Sequence, residues 1–277
     1  MASNKLKKPL QYWLNIAALP LVTLSFSAVV HAAEGPEPEM SVTYNVGVVS
    51  DYRVRGIAQT SSKPALQGGI DFAMKSGPYL GTAFSTVKWL KDVNGATKGN
   101  TEVDLYGGYK AAIVDTDFSY DVGVIGYRYP RNNSGTGAGL VPAGTFVNAN
   151  TTEIYGALTY KIYTLKYNRS VGNFLGNKSS TGSQYFDLSA AYDMTNGFVL
   201  TPHIGRQLIP NQAPLNGNYT DFSITLSKDF GNGFSGSVAA MTNNAQTGTK
   251  DSPGFYRDAK QEVFSGDTIV IGVKYTF

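Results

Sequence analysis

The stretch that decides the class of fold is residues 268–277, which read Thr-Ile-Val-Ile-Gly-Val-Lys-Tyr-Thr-Phe. Every second residue in it is large and apolar: Ile269, Ile271, Val273, Tyr275 and Phe277. A period of two gives a β-strand one apolar face and one face that is mostly small or polar. A soluble sheet needs a second protein layer to cover such a face, whereas a bilayer covers it directly. The rest of the sequence is needed to distinguish these two environments.

The first 32 residues are typical of a cleaved secretory signal peptide. Three lysines precede an apolar run over residues 16–30, and the small residues around Ala32 predict cleavage after that residue. A transmembrane anchor is the alternative, but the run is short for a membrane span and Pro20 interrupts it. The sequence therefore predicts an exported protein with a short mobile leader over residues 33–40 and a barrel over residues 41–277.

Composition narrows the class of function. The formal net charge of +3 comes from the predicted signal, because residues 33–277 carry 20 basic and 20 acidic residues. This balance gives no reason to expect nucleic acid as a partner. The chain of 277 residues has no cysteine, which excludes thiolate zinc sites and disulfides. Glycine contributes 31 residues and tyrosine 18, a composition that favours an all-β fold.

Twelve alternating segments divide the predicted barrel domain. Long loops follow the odd-numbered segments and short turns follow the even-numbered ones, which is the layout of a bacterial outer-membrane barrel. Segments of about ten residues also match the thickness of the hydrocarbon layer when the strands are tilted. The sequence therefore predicts an all-β, transmembrane, antiparallel up-and-down β-barrel of about 12 strands in the outer membrane of a Gram-negative bacterium.

Three of the predicted strands carry specific expectations. The first is predicted over residues 41–56, with charged residues inward, and the third over residues 79–89, with Lys88 inward. The ninth is predicted over residues 198–207, and Pro202 predicts a bulge there because proline has no backbone donor for the sheet.

Aromatic residues on the predicted outward face fall near the strand ends. Nine lie beside the short turns: Tyr79, Phe118, Tyr160, Tyr163, Tyr192, Phe198, Phe234, Tyr275 and Phe277. Three lie towards the long loops: Tyr52, Trp89 and Phe222. Aromatic residues favour strands in general, but their positions predict two girdles at the membrane interfaces.

Four blocks of sequence resemble a proteobacterial family known as TorF-type putative porins. They are Ser-Asp-Tyr-Arg-Val-Arg-Gly-Ile-Ala-Gln-Thr at 50–60, Lys-Pro-Ala-Leu-Gln-Gly-Gly at 63–69, Val-Gly-Val-Ile-Gly-Tyr-Arg-Tyr-Pro at 122–130 and His-Ile-Gly-Arg-Gln at 203–207. The resemblance covers essentially the whole chain after the predicted signal. It implies an outer-membrane barrel with a channel function and brings no catalytic residues.

The last six residues also resemble the signal that the barrel-assembly machinery reads. The matching residues are Gly272, Tyr275 and Phe277. Val270 departs from the pattern, which usually has a polar residue two positions before the glycine. The resemblance implies that the assembly machinery is a partner of this chain.

The polar face of the predicted strands gives a candidate pore lining. Its residues are Asp51, Arg53, Arg55, Lys88, Glu102, Asp104, Asp187, His203 and Asp221. A barrel of twelve strands lies between small barrels filled by side chains and wide barrels that hold water. In one interpretation the charges pair across the lumen and brace a barrel that conducts little. In the other, the three basic side chains face the acidic ones near the outer mouth and create a field that selects small polar solutes.

The sequence predicts a channel for passive diffusion of small hydrophilic solutes or ions. A structural or adhesive barrel with little conductance is the alternative, and a barrel hydrolase is a weaker one. His203 is the only histidine after the predicted signal, and catalysis needs a positioned partner. One histidine without cysteine predicts no metal site, and no motif indicates a cofactor. The expected partners are outer-membrane lipid, the barrel-assembly machinery and small polar solutes; the sequence does not set the oligomeric state.

Overall fold

The structure is a computed structural model that describes residues 38–136, 141–258 and 260–277. The predicted signal peptide and most of the leader lie outside the described residues. Within the described part of the chain, no helix has the length and hydropathy needed to cross a membrane.

The described chain is built almost entirely of strands. In chain order they are β1 (Met40–Val49), β2 (Arg53–Val54), β3 (Ile57–Ala58), β4 (Ala65–Met74), β5 (Pro78–Thr86), β6 (Thr101–Ala112), β7 (Phe118–Arg128), β8 (Thr151–Tyr160), β9 (Tyr163–Ser170), β10 (Gln184–Ala190), β11 (Tyr192–Asp193), β12 (Phe198–Leu208), β13 (Tyr219–Gly231), β14 (Phe234–Asn243) and β15 (Thr268–Thr276). A single helical turn, α1 (Trp89–Asp92), follows β5.

These strands form a closed antiparallel barrel. Each long strand pairs with its neighbours in sequence, and β1 closes the sheet by pairing with β15. Strands β10 and β11 both pair with β12 and form one stave, so the barrel has twelve staves. The hairpin β2–β3 stands apart as a second, two-stranded sheet. The predicted fold class is confirmed.

The outward face of the barrel is apolar. On β1, Met40, Val42, Tyr44, Val46 and Val48 are exposed, whereas the inward residue Val49 is buried. The same alternation holds on the other staves, so exposed apolar side chains form a continuous band around the barrel. In a closed barrel no edge is left unpaired, and a bilayer covers the band. This is the surface of a transmembrane barrel.

The aromatic girdle at the short-turn end is present. Phe118 and Tyr160 pack with their ring centroids 4.7 Å apart, and Phe234 and Tyr275 pack at 4.6 Å. Phe277 lies beside Tyr275 at 5.5 Å. These pairs lie at the ends of neighbouring strands, as the sequence predicts for an interfacial girdle.

Three aromatic residues predicted to face outward lie inside instead. Tyr79 donates a hydrogen bond of 2.6 Å to Asp121 in the lumen, Tyr52 is fully buried, and Trp89 packs edge to face on Tyr129 at 5.2 Å. The prediction for the third strand was wrong because its threonines were taken as the inward face. The outward residues of β5 include Leu80, and the strand ends at Thr86, before Trp89 and Lys88.

The bulge predicted at Pro202 is also absent. β12 is continuous over Phe198–Leu208, and Pro202 pairs with Ile224 on β13. The irregularity lies in the facing stave, which is interrupted at Ala191 between β10 and β11. Proline has no N–H to donate to the facing stave, and that stave is interrupted near Pro202. The register of its pairing with β12 is the same on both sides of the interruption.

Candidate functional site

Residues 50–64, called here the internal loop, leave the barrel wall and fold into the lumen. The first strand ends at Val49, not at residue 56 as predicted, and the chain then makes the small hairpin β2–β3. Arg53 and Arg55 are each only 3% exposed. At the hairpin tip, Gly56 has a φ of +77°, and an added Cβ there would lie 3.1 Å from Cβ of Asp221. Glycine lets the tip press directly against the wall.

Arg55 reaches the far side of the lumen. Its Nη2 donates to Oε2 of Glu153 on β8 at 2.7 Å, and its Nη1 donates to Oε1 of Gln207 on β12 at 2.8 Å. The guanidinium also lies 4.3 Å from the ring centroid of Tyr185 on β10. Strands β8 and β10 are each five staves from β1, counted in the two directions around the barrel. The side chain of Arg55 therefore bridges the bore.

The charge of Arg55 is held in place by its partner. Burial lowers the pKa of Arg55, but Glu153, together with the nearby Tyr127 and Tyr185, outweighs burial, so the pKa lies above its usual value. Arg55 therefore stays protonated, and the pair is a buried, bidentate, charge-assisted contact.

Other contacts hold the rest of the internal loop. The hydroxyl of Tyr52 donates to Oε1 of Glu102 on β6 at 2.6 Å, and the amide of Asn243 on β14 donates to the carbonyl of Gly56 at 3.0 Å. Burial raises the pKa of Tyr52 well above its usual value, and Glu102 raises it further, so the hydroxyl keeps its proton. Arg53 pairs within the loop, with its Nε 2.7 Å from Oδ2 of Asp51.

The outer loops cover the internal loop. Ile57 packs in a small cluster with Tyr219 and Tyr256, and the two tyrosine rings meet edge to face at 5.1 Å. The backbone N–H of Ala58 donates to the carbonyl of Phe264 at 2.8 Å. The connection between β14 and β15 therefore forms a lid over the tip of the internal loop.

Below the internal loop, tyrosines lie flat on the inner wall. Tyr79, Gly108, Gly123 and Tyr155 stand side by side in register on β5 to β8. The two rings lean over the glycines until their hydroxyls meet, and Tyr79 also donates to Asp121. A Cβ on Gly108 would lie 2.6 Å from the hydroxyl of Tyr79. The glycines therefore keep the rings against the wall and out of the bore.

The predicted arrangement of basic residues facing acidic ones across the outer mouth is wrong. Arg53 pairs with Asp51 and Arg55 with Glu153, because the internal loop leaves the wall. Lys88 lies on the surface beside α1, with its Nζ 4.0 Å from Oδ2 of Asp92.

Two predicted acidic residues, Glu102 and Asp104, do point inward from β6 and are 1% exposed. In the described part of the chain, neither has a basic residue within ion-pair distance, and both carboxylate oxygens of Asp104 lack a hydrogen-bond partner. The two carboxyl groups therefore have no basic partner among the described residues of the wall.

The structure brings together Asp187, His203 and Asp221. Nε2 of His203 lies 2.9 Å from Oδ2 of Asp187, and its Nδ1 lies 3.6 Å from Oδ1 of Asp221. The hydroxyl of Tyr185 donates to Asp221 at 3.0 Å. His203 lies halfway along β12. Both ring nitrogens face carboxylates, an arrangement that bridges staves β10, β12 and β13.

The three residues of the predicted assembly signal lie on or next to β15. Gly272 pairs with Val49 and Tyr275 with Val46, so the end of the chain closes the barrel against β1. Phe277 exchanges two backbone hydrogen bonds with Tyr44, and the two rings stack at 5.9 Å.

A sequence-family comparison identifies the group to which the chain belongs. Residues 32–277 match the model of a family described as a bacterial protein of unknown function, Gcw_chp. The chain belongs to the Gcw_chp family. Among curated proteins, none matches this chain by sequence.

Solved structures similar to this Gcw_chp protein include two porins. The KdgM porin, solved in complex with disordered oligogalacturonate, is 9% identical with a TM-score of 0.50, over 85% of this chain and 98% of that one. The NanC porin is 10% identical with a TM-score of 0.50, over 85% of this chain and 99% of that one. At these identities the likeness shows the fold alone.

The predicted site residues of this Gcw_chp protein omit the partners of Arg55. Tyr185 and Gln207 share the parity of the predicted inward residues Asp187 and His203, so alternation indicates only that they face the lumen. Their contact with Arg55 depends on where the tip of the internal loop lies in the lumen, and no local pattern in β10 or β12 indicates that position.

Proposed function

We propose that this protein is an outer-membrane channel for passive diffusion of small hydrophilic solutes or ions. The observation that carries the proposal is the charged inner wall below the internal loop. Lys110, Asp121, Lys166, Asp187 and Lys274 all lie on the inward parity of their strands. Side chains of this kind favour a hydrated interior, whereas a solid barrel core would be filled with apolar groups.

The width of the barrel supports the same proposal. With neighbouring strands about 4.8 Å apart and tilted by about 40°, twelve staves enclose a bore about 24 Å across between opposite backbones. Wall tyrosines lie flat over glycines, which leaves more of this width free. The resemblance to TorF-type putative porins also favours a channel, and so do the names of the two solved barrels.

A structural barrel with little conductance is the second candidate. The internal loop favours it, because Tyr52, Arg53 and Arg55 fill the bore with fully buried side chains. On either proposal, the signal peptide is removed on export, and Gly272, Tyr275 and Phe277 are read by the barrel-assembly machinery.

Single-channel recording in planar bilayers separates the two candidates. Purified, heat-modifiable barrel is compared with detergent alone and with the same barrel after heat denaturation. A channel produces discrete conductance steps that both controls lack. If folded barrel produces no steps, including under applied voltage, the channel proposal is wrong and the structural role replaces it.

A further inference from the structure

We infer that the internal loop is a displaceable plug that leaves the lumen as a unit when the channel opens, with Arg55 as its latch. The inference rests on the proposed channel function and adds the element that opens and closes it. The latch is the contact of Arg55 with Glu153 and Gln207 on the far wall.

The barrel closes without the internal loop. Strands β1 and β4 pair continuously from Met40 and Met74 up to Val49 and Ala65. The internal loop is therefore a 15-residue excursion that starts and ends at one backbone pair. Moving it out of the lumen breaks no pairing between staves, so the membrane-spanning wall stays intact.

Backbone hydrogen bonds join the loop to its surroundings at Ala58 and Gln59, and Ile57 packs on Tyr219; the remaining docking contacts involve side chains. They are the latch at Arg55, the hydroxyl of Tyr52 on Glu102, and the amide of Asn243 on the carbonyl of Gly56. Its own regular structure is the two-residue hairpin β2–β3. Water replaces contacts of this kind when they open, which makes release far easier than breaking a strand ladder.

The docked loop also carries backbone strain. Arg55, Ser61 and Ser62 have φ values of 51°, 54° and 55°, in the left-handed region that residues other than glycine rarely adopt. Such positions persist only where surrounding contacts enforce them. Release of the latch lets the loop relax, so docking depends on the wall contacts.

The wall behind the loop is suited to water once the loop leaves. The groups that face it include Glu102, Glu153, Gln207 and Asp221, which are polar or charged. Tyr185 already donates to Asp221 and stays on the wall. A vacated lumen at this level is therefore hydrophilic, as a diffusion path requires.

A reversible disulfide tests the plug directly. A Cβ added at Gly56 would lie 3.7 Å from Cβ of Asn243, within the range of Cβ distances that disulfides span. The chain has no cysteine, so the double variant G56C/N243C forms a single disulfide between the loop tip and β14. Oxidation holds the loop docked, and a reductant frees it.

The expected result is that oxidised G56C/N243C opens at least about tenfold less often than the same molecules after reduction. The single variants G56C and N243C control for the strain of a side chain at position 56 and respond to neither reagent. Equal conductance in the oxidised and reduced states would overturn the plug.

A second variant tests the latch without a new disulfide. Arg55→Ala removes charge-assisted hydrogen bonds, which raises the open probability about 10- to 100-fold. An unchanged open probability would show that Arg55 is not the latch. If wild type, reduced double variant and R55A all fail to conduct, the channel proposal fails and the plug with it. If the protein conducts but its open probability changes in neither experiment, the plug proposal is wrong and the channel proposal stands.

Discussion

Replacing Glu153 with glutamine is the most informative single change in the lumen. Glutamine keeps the size of the side chain but leaves the guanidinium of Arg55 buried without its counterion; the two side chains are 2% and 0% exposed. Removing one partner of a buried ion pair costs about 3–5 kcal/mol. This cost raises the free energy of the docked state only, because water solvates Arg55 when the loop is displaced. At about 1.4 kcal/mol per factor of ten, the displaced population rises by about 100- to 4000-fold.

Limited trypsin digestion of the folded barrel measures this population. Trypsin cleaves after Arg53 and Arg55, and these sites become available when the internal loop leaves the lumen. When reclosing is faster than cleavage, the rate of cleavage follows the open population. The E153Q variant is therefore cut within the loop much faster than wild type, while the barrel fragment stays folded and heat-modifiable.

A matched control uses an ion pair on the surface. Asp117→Ala removes the partner of Lys161, where both side chains are more than half exposed and the atoms are 3.6 Å apart, and leaves cleavage at wild-type rates. The reasoning is refuted if E153Q is cut no faster than wild type. It is also refuted if the whole barrel unfolds with the loop, because the loop would then belong to the core of the fold.

Two further results are expected. Gly81→Ala places a Cβ 2.6 Å from Cζ of Tyr106, so the ring leaves the wall and the free energy of unfolding in urea falls by about 1–3 kcal/mol. Gly156→Ala is the control, because the nearest atom is 3.9 Å away, and it changes the free energy of unfolding by less than about 1 kcal/mol. Equal effects of the two variants would contradict the packing argument. Deleting Phe277 lowers the amount of heat-modifiable barrel in the membrane fraction, and a wild-type amount would show that this residue is not needed for assembly.

The barrel wall was predictable from the sequence because membrane and lumen impose opposite polarities on alternate residues. On β6 and β15 these polarities separate cleanly, and Glu102 and Ile269 point as their parity predicts. The inward and outward faces of β5 were exchanged in the prediction. Threonine is tolerated on the lipid face, and the hydroxyl of Tyr79 points inward and donates to Asp121. Which tyrosine covers which glycine depends on strand register, which one sequence does not show.

The internal loop could not be recognised from alternation. Tyr52 and Val54 continue the apolar parity of β1, and Asp51, Arg53 and Arg55 continue the polar parity, so the pattern indicates one long strand. The polar residues of this hairpin are nevertheless buried, because they bind groups on the wall and within the loop instead of water. The length was the available signal: a strand of 16 residues is longer than the roughly ten that a bilayer needs.

The most direct test of the account is the conductance of a barrel without the internal loop. Replacing residues 50–64 by Asn-Gly joins Val49 to Ala65 through a two-residue hairpin turn, which suits their existing backbone pair. The account predicts a folded, heat-modifiable barrel that conducts steadily, at a higher level than wild type and without long closures. A folded loop-free barrel that carries no current would contradict it, because the interior would then be closed by something other than the loop.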